Sequence, residues 1–161
     1  MKKCFMLLVI LMAAVNLFSL TIFEDKFDQS GSKIEGFFES NNTYVTKYTG
    51  SYKIGTAAME IRGSNNAITY IKTSPFKNMV LTFKMAKNSL ESGEYVRCQY
   101  NTGSGWVTAA TLTNTASNGV YSSYSVNIPL CTVLQVKFLV YGNAYDDYGY
   151  IEEVKLSGDR K

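Results

Sequence analysis

Few residues in this chain have the chemistry of acid–base catalysis. Histidine is absent, which removes Ser-His-Asp and Cys-His nucleophile systems, HExxH metal sites and the usual zinc fingers. The dense acid groups are Asp146/Asp147 and Glu152/Glu153. Cleaving a glycosidic bond takes two carboxyls across a cleft, about 5–10 Å apart. Neighbours on one strand point to opposite faces, so neither pair supplies that geometry alone. No GxSxG-like context accompanies them, and the chain is not expected to be an enzyme. The aromatic residues point to binding instead. There are 12 tyrosines and a single tryptophan, Trp106. Flat rings stack on sugar faces while Asn, Asp and Arg supply hydrogen bonds. Tyr141, Asn143, Tyr145, Asp146, Asp147 and Tyr148 gather such groups in one stretch, and Trp106 opens a strand beside a glycine turn. These are the candidate ligand-binding residues. Tyr44, Tyr48 and Tyr52 recur at spacing four. The competing reading is structural: tyrosine suits half-buried strand positions, and burial favours a core place for Trp106.

The elements that must position these residues read as strands. Leu81, Phe83 and Met85 alternate with polar neighbours, as do Val96, Cys98 and Tyr100, and Leu134, Val136, Phe138 and Val140. This period of two gives each run one face for a core and one for water. Gly63-Ser64-Asn65-Asn66 separates 57–62 from 67–73 and predicts a hairpin. Further turn signals bound strands over 79–87, 94–101, 106–112, 121–128 and 150–156. The expectation is an all-β antiparallel sandwich, a jelly roll of eight to ten strands, with no helix. The stretch 41–55 is the least regular.

The N-terminus is different in kind. Lys2 and Lys3 precede an apolar run from Cys4 to Val15, Asn16 interrupts it, and Ser19 offers a small residue for cleavage. This pattern predicts a signal peptide over 1–19 and one domain over 20–161, placing the protein outside the cell. The alternative is an uncleaved membrane anchor through 4–23; no other segment is apolar enough to span a bilayer. The chain has 16 Lys and Arg against 13 Asp and Glu. Without Lys2 and Lys3 the balance is 14 against 13, and no cluster of five basic residues exists, so a nucleic-acid partner is not expected. Cleavage also leaves an even pair of cysteines, Cys98 and Cys131. In an exported chain the pair points to a disulfide closing a loop of about 32 residues, worth about 2–4 kcal/mol. Two buried free thiols are the alternative. Asn41-Asn42-Thr43 forms a glycosylation sequon.

The order of elements resembles that of secreted jelly-roll modules of the galactose-binding-like and MAM-like kind, the architecture of many carbohydrate-binding modules. The resemblance rests on an N-terminal Ile22-Phe23-Glu24-Asp25-Lys26-Phe27-Asp28 and a central Val80-Leu81-Thr82-Phe83-Lys84-Met85. It rests also on Tyr95-Val96-Arg97-Cys98-Gln99-Tyr100-Asn101 before a glycine turn, and on a C-terminal Tyr148-Gly149-Tyr150-Ile151-Glu152-Glu153-Val154. In that family the last strand often carries aspartates where Glu152 and Glu153 stand. The resemblance implies a non-catalytic module whose partner is a glycan or an extracellular protein; a structural or adhesive protein acting through sheet faces or edges is the alternative. It also implies a structural calcium ion between first and last strands, at Glu24, Asp25, Asp28, Glu152 and Glu153, because calcium takes hard oxygen ligands. An ordinary solvated edge is the other reading of those acids.

Overall fold

The computed structural model describes residues 19–28 and 43–161. All but Ser19 of the leader expected over 1–19, and Asn41-Asn42 of the sequon, lie outside these residues. Among the described residues every regular element is a strand: β1 Leu20–Asp25, β2 Val45–Tyr48, β3 Ala58–Arg62, β4 Asn66–Lys72, β5 Phe76–Asn88, β6 Tyr95–Asn101, β7 Trp106–Thr113, β8 Ser122–Ile128, β9 Val133–Tyr141 and β10 Tyr148–Arg160. No helix among them is long and apolar enough to cross a membrane.

The strands form two antiparallel sheets. The first runs β2-β3-β10-β5-β8, with β1 pairing the C-terminal half of β10. The second runs β4-β9-β6-β7. Their apolar faces meet as the alternation requires: Leu81, Phe83 and Met85 of β5 and Leu134, Val136, Phe138 and Val140 of β9 are all buried. Phe83 packs edge-on against Phe138 with ring centres 5.2 Å apart, joining the sheets at mid-core. Burying each large apolar side chain contributes roughly 1.5–3 kcal/mol, which makes this interface the main source of stability.

Three expectations are corrected. The segments flanking Gly63–Asn66 do not form a hairpin: β3 joins the first sheet and β4 the second. The turn crosses the end of the sandwich, held by Gly63 N–H donating to the Asp147 carbonyl at 2.8 Å. Splitting the pair sets Met59 and Ile61 in one sheet and Ala67 and Ile71 in the other, with both sets buried in one core. Cys98 and Cys131 are free and buried, not bonded. Cys98 pairs with Phe138 in mid-sheet, whereas Cys131 precedes the start of β9. That places them on the order of 20 Å apart along the strand direction, far beyond the roughly 7 Å that a disulfide tolerates between Cα atoms. Cys131 instead sits 3.3 Å from the Thr73 hydroxyl, and burial pushes the Cys98 thiol well above its ordinary pKa.

The third correction concerns the two glutamates of β10. Pairing with β5 jumps from Glu152↔Lys84 to Lys155↔Thr82, and Glu153 adopts a φ of 50°. This bulge breaks the alternation. Glu152 and Glu153 therefore lie on the same outer side of the first sheet, where Glu153 pairs with Lys84 at 2.8 Å.

Candidate functional site

The outer face of the second sheet is built from the residues that its strands do not bury. Register places them in cross-strand rows: Tyr70, Gln135, Asn101 and Trp106 in one, then Ile68, Lys137, Gln99 and Thr108, then Asn66, Leu139, Arg97 and Thr111, and finally Tyr141, Tyr95 and Thr113. Successive rows lie about 7 Å apart, so the face extends about 20 Å from Trp106 to Tyr141. Its rings are open to solvent: Trp106 is 38% exposed, Tyr70 59% and Tyr141 56%. The core place that burial statistics favour for Trp106 is thus not the one it occupies.

Local contacts hold these side chains in place. The Asn101 side-chain oxygen accepts N–H bonds from Gly103 at 2.8 Å and Gly105 at 3.1 Å. Both glycines have left-handed backbones, φ 113° and 104°, which side-chain-bearing residues rarely adopt. The Asn101 amide thereby fixes the tight turn that presents Trp106. Asn101 also donates to Gln135 at 3.2 Å across the sheet. Lys137 places its ammonium 4.1 Å from the centre of the Trp106 ring, and Arg97 lies 3.9 Å over Tyr95. Tyr95 stacks on Tyr141 at 5.2 Å, and Arg97 Nε donates to the Thr111 hydroxyl at 3.1 Å. Burial lowers the Lys137 pKa from its ordinary value. The surface combines pinned rings with amide and cationic donors, a set that can stack on a flat ligand and bind its oxygens.

The other ligand candidates lie elsewhere. Asn143, Tyr145, Asp146, Asp147 and Tyr148 follow β9 at the end of the sandwich, and most of their polar groups serve the fold. Asn143 N–H donates to the buried Glu94 carboxylate, and Ala144 N–H to the buried Asp147 carboxylate. Tyr145 and Tyr148 clasp the Arg62 guanidinium at 5.4 and 5.3 Å, while Arg62 pairs with Glu60 at 2.7 Å. Asp146 is exposed. The expected set is therefore divided: Trp106 and Tyr141 share the sheet face, and the remainder forms a braced loop. Tyr70, Tyr95, Arg97, Gln99, Gln135 and Lys137 were not singled out from sequence, although each occupies an outward position of a legible strand.

The spacing-four tyrosines serve a third purpose. Tyr48 and Tyr52 pack on Tyr150 at 4.9 and 5.5 Å on the outer face of the first sheet. The segment 49–56 folds over that face, and Glu152 pins it by accepting N–H bonds from Ile54 at 2.5 Å and Gly55 at 3.2 Å. The Tyr121 hydroxyl donates to the Tyr52 carbonyl at 3.1 Å. Burial, reinforced by the Glu152 charge for Tyr121 and the Glu60 charge for Tyr150, raises both phenols far above their ordinary pKa.

Glu24, Asp28, Glu152 and Glu153 line one hollow of about 390 Å³ together with Lys26 and Lys155. Their carboxylates are already engaged: Glu24 by Lys26, Asp28 by the Thr56 hydroxyl, Glu152 by two backbone N–H groups and Glu153 by Lys84. Asp25 is buried and accepts the Phe27 N–H at 2.7 Å. Among the described residues no three acids come together in a way that could hold a metal, so this set does not by itself fit the expected calcium ion.

No protein-family profile and no curated protein matches the sequence. Solved structures do match the fold. A xylan-binding family 22 module from Paenibacillus barcinonensis superposes with a TM-score of 0.56 at 10% identity, over 89% of this chain and 97% of that one. A family 61 carbohydrate-binding module, solved in complex with β-1,4-galactotriose, gives 0.55 at 13% identity over 77% and 87%. The K3 cleaved adhesin domain of Lys-gingipain from Porphyromonas gingivalis W83 gives 0.60 at 15% identity over 86% and 98%. The chain has the jelly-roll β-sandwich fold shared by these carbohydrate-binding modules and the cleaved adhesin domain.

Proposed function

We propose that this protein is a secreted, non-catalytic module that binds a glycan chain along the outer face of its second sheet. The observation that carries the reading is the set of exposed rings, Trp106, Tyr70 and Tyr141, on one face with half-buried Tyr95 stacked on Tyr141 and the amides of Gln99 and Gln135 between them. An aromatic ring offers a sugar a large apolar contact at small entropic cost, and amides between rings bind hydroxyls. No carboxylate lies on β4, β6, β7 or β9, so the acid pair of a glycosidase is not supplied there. One structural neighbour is a xylan-binding domain and another was solved with β-1,4-galactotriose, which supports the choice of a glycan as partner kind. Export is supported by Lys2-Lys3 and the apolar run to Val15.

A glycan-array screen of the purified domain tests the reading, repeated with Trp106→Ala. Binding to at least one glycan class is expected. The Trp106→Ala variant should weaken it about thirtyfold, the effect of a central aromatic anchor worth about 2 kcal/mol. An array that stays blank, or a hit indifferent to Trp106, would overturn the proposal.

A further inference from the structure

We infer that the ligand of this face is an anionic polysaccharide, one whose sugars carry carboxylate or sulfate groups; this rests on the glycan reading and specifies its chemistry. Charge is segregated between the two sheets. The strands β4, β6, β7 and β9 contain no Asp or Glu, whereas β1, β3 and β10 carry Glu24, Asp25, Glu60, Glu152, Glu153 and Asp159. The first sheet carries cations among these acids: Arg62 and Lys84 pair with carboxylates at 2.7 and 2.8 Å, while Lys77, Lys155 and Arg160 are in no ion pair among the described residues. On the second, Lys72, Arg97 and Lys137 belong to no ion pair among the described residues.

The placement of Arg97 and Lys137 sharpens the point. Arg97 lies opposite Leu139, and Lys137 lies opposite Gln99 on the neighbouring strand. They are diagonal neighbours, a geometry that sets Cα atoms about 7–8 Å apart. Their charged ends are directed to opposite ends of the face, and no carboxylate stands on its strands to neutralise either. Both are laid over rings rather than extended into water, Arg97 on Tyr95 and Lys137 on Trp106. The rings fix where the two charges stand on the face.

The Asn101 oxygen is spent on Gly103 and Gly105, and the Gln135 oxygen accepts the Asn101 amide. The Gln99 amide and the Tyr70, Tyr141 and Thr108 hydroxyls both donate and accept, and suit a sugar's own hydroxyls. The Arg97 guanidinium and the Lys137 ammonium only donate, and a carboxylate or sulfate, which only accepts, is their complement.

Two matched pairs of polymers test this by affinity electrophoresis or calorimetry: polygalacturonate against its methyl ester, and dextran sulfate against dextran. Polyphosphate serves as a sugar-free anion. At least one anionic polymer is expected to bind tenfold or more tightly than its neutral partner, with affinity falling as salt rises. Lys137→Met and Arg97→Gln should each weaken anionic binding about tenfold, the effect of one charge-assisted hydrogen bond. Lys155→Met, on the opposite sheet, should leave it unchanged. The pair that responds identifies carboxylate or sulfate. Equal affinity for charged and neutral partners would overturn the anionic inference while leaving the glycan reading intact. Polyphosphate binding as tight as the anionic glycan would overturn it as unspecific charge attraction. Failure of every polymer on these pairs and on the array would remove the glycan reading and this inference together.

Discussion

Removing the Glu152 carboxylate should release the strap over the first sheet. Glu152 is 2% exposed, and its two oxygens hold the Ile54 and Gly55 N–H groups at 2.5 and 3.2 Å. A hydrogen bond to a charged acceptor contributes about 1.5–3 kcal/mol, and the longer Gly55 bond belongs at or below the low end of that range. The two together stabilise by about 3 kcal/mol. Part of this is returned when residues 49–56 regain backbone freedom and water reaches the vacated N–H groups, leaving a net loss of about 2 kcal/mol for Glu152→Ala. For a domain near 140 residues that lowers the melting temperature by about 6 °C. Glu152→Gln keeps one acceptor oxygen and should lose about half as much. Differential scanning calorimetry reads the stability, and limited trypsin digestion at Lys53, inside the strap, reads its release. A melting temperature within 2 °C of wild type, with Lys53 no more cleavable than before, would refute the reasoning.

The remaining predictions are independent of that strap. Thiol labelling of the unfolded, unreduced domain should modify both Cys98 and Cys131, and reductant should leave the melting temperature unchanged; a single protected pair would contradict the separation seen in the fold. Alkali should destabilise the protein. With folded-state pKa values raised, Tyr121 and Tyr150 contribute stability that is fully present below the free phenol value near 10 and is lost above it by about 1.4 kcal/mol per pH unit for each residue. Unfolding curves from pH 8 to 11 should show this loss, blunted in Tyr150→Phe, and a flat profile would count against the buried tyrosine cluster. Millimolar calcium and chelator should give equal melting temperatures; a rise of several degrees in calcium would show that Glu24, Asp28, Glu152 and Glu153 are completed into a site by ligands beyond the described residues.

What could be read in advance follows from how local the signal is. The alternation through Leu134, Val136, Phe138 and Val140 is a property of one strand, and all four residues are buried as it requires. The turn at Gly63 was equally visible, but nothing near it says whether the next strand stays in the same sheet, and here it does not. The bulge at Glu153 left no mark because a glutamate, not a glycine, takes the left-handed backbone. The proposed binding face was half legible. Trp106 and Tyr141 stood out by residue type. Arg97, Gln99 and Lys137 did not, because their meaning depends on β6 pairing with both β7 and β9. One signal was available, since segments 66–72, 95–101, 106–113 and 133–141 share a complete lack of acids. Of the tyrosines at spacing four, which drew attention for their chemistry, Tyr48 and Tyr52 pack on Tyr150 and Tyr44 meets Tyr145 edge-on.

The central claim, that a glycan lies along the second sheet, can be read from one side chain. Trp106 is the only tryptophan, it stands on that face, and it is 38% exposed. Its fluorescence therefore reports that surface and no other. Titration with the glycan that binds best on the array should shift the emission of Trp106 to shorter wavelength as the ring loses water, with a midpoint equal to the dissociation constant from calorimetry. Saturable binding that leaves Trp106 emission unchanged would place the ligand elsewhere on the molecule and contradict the account.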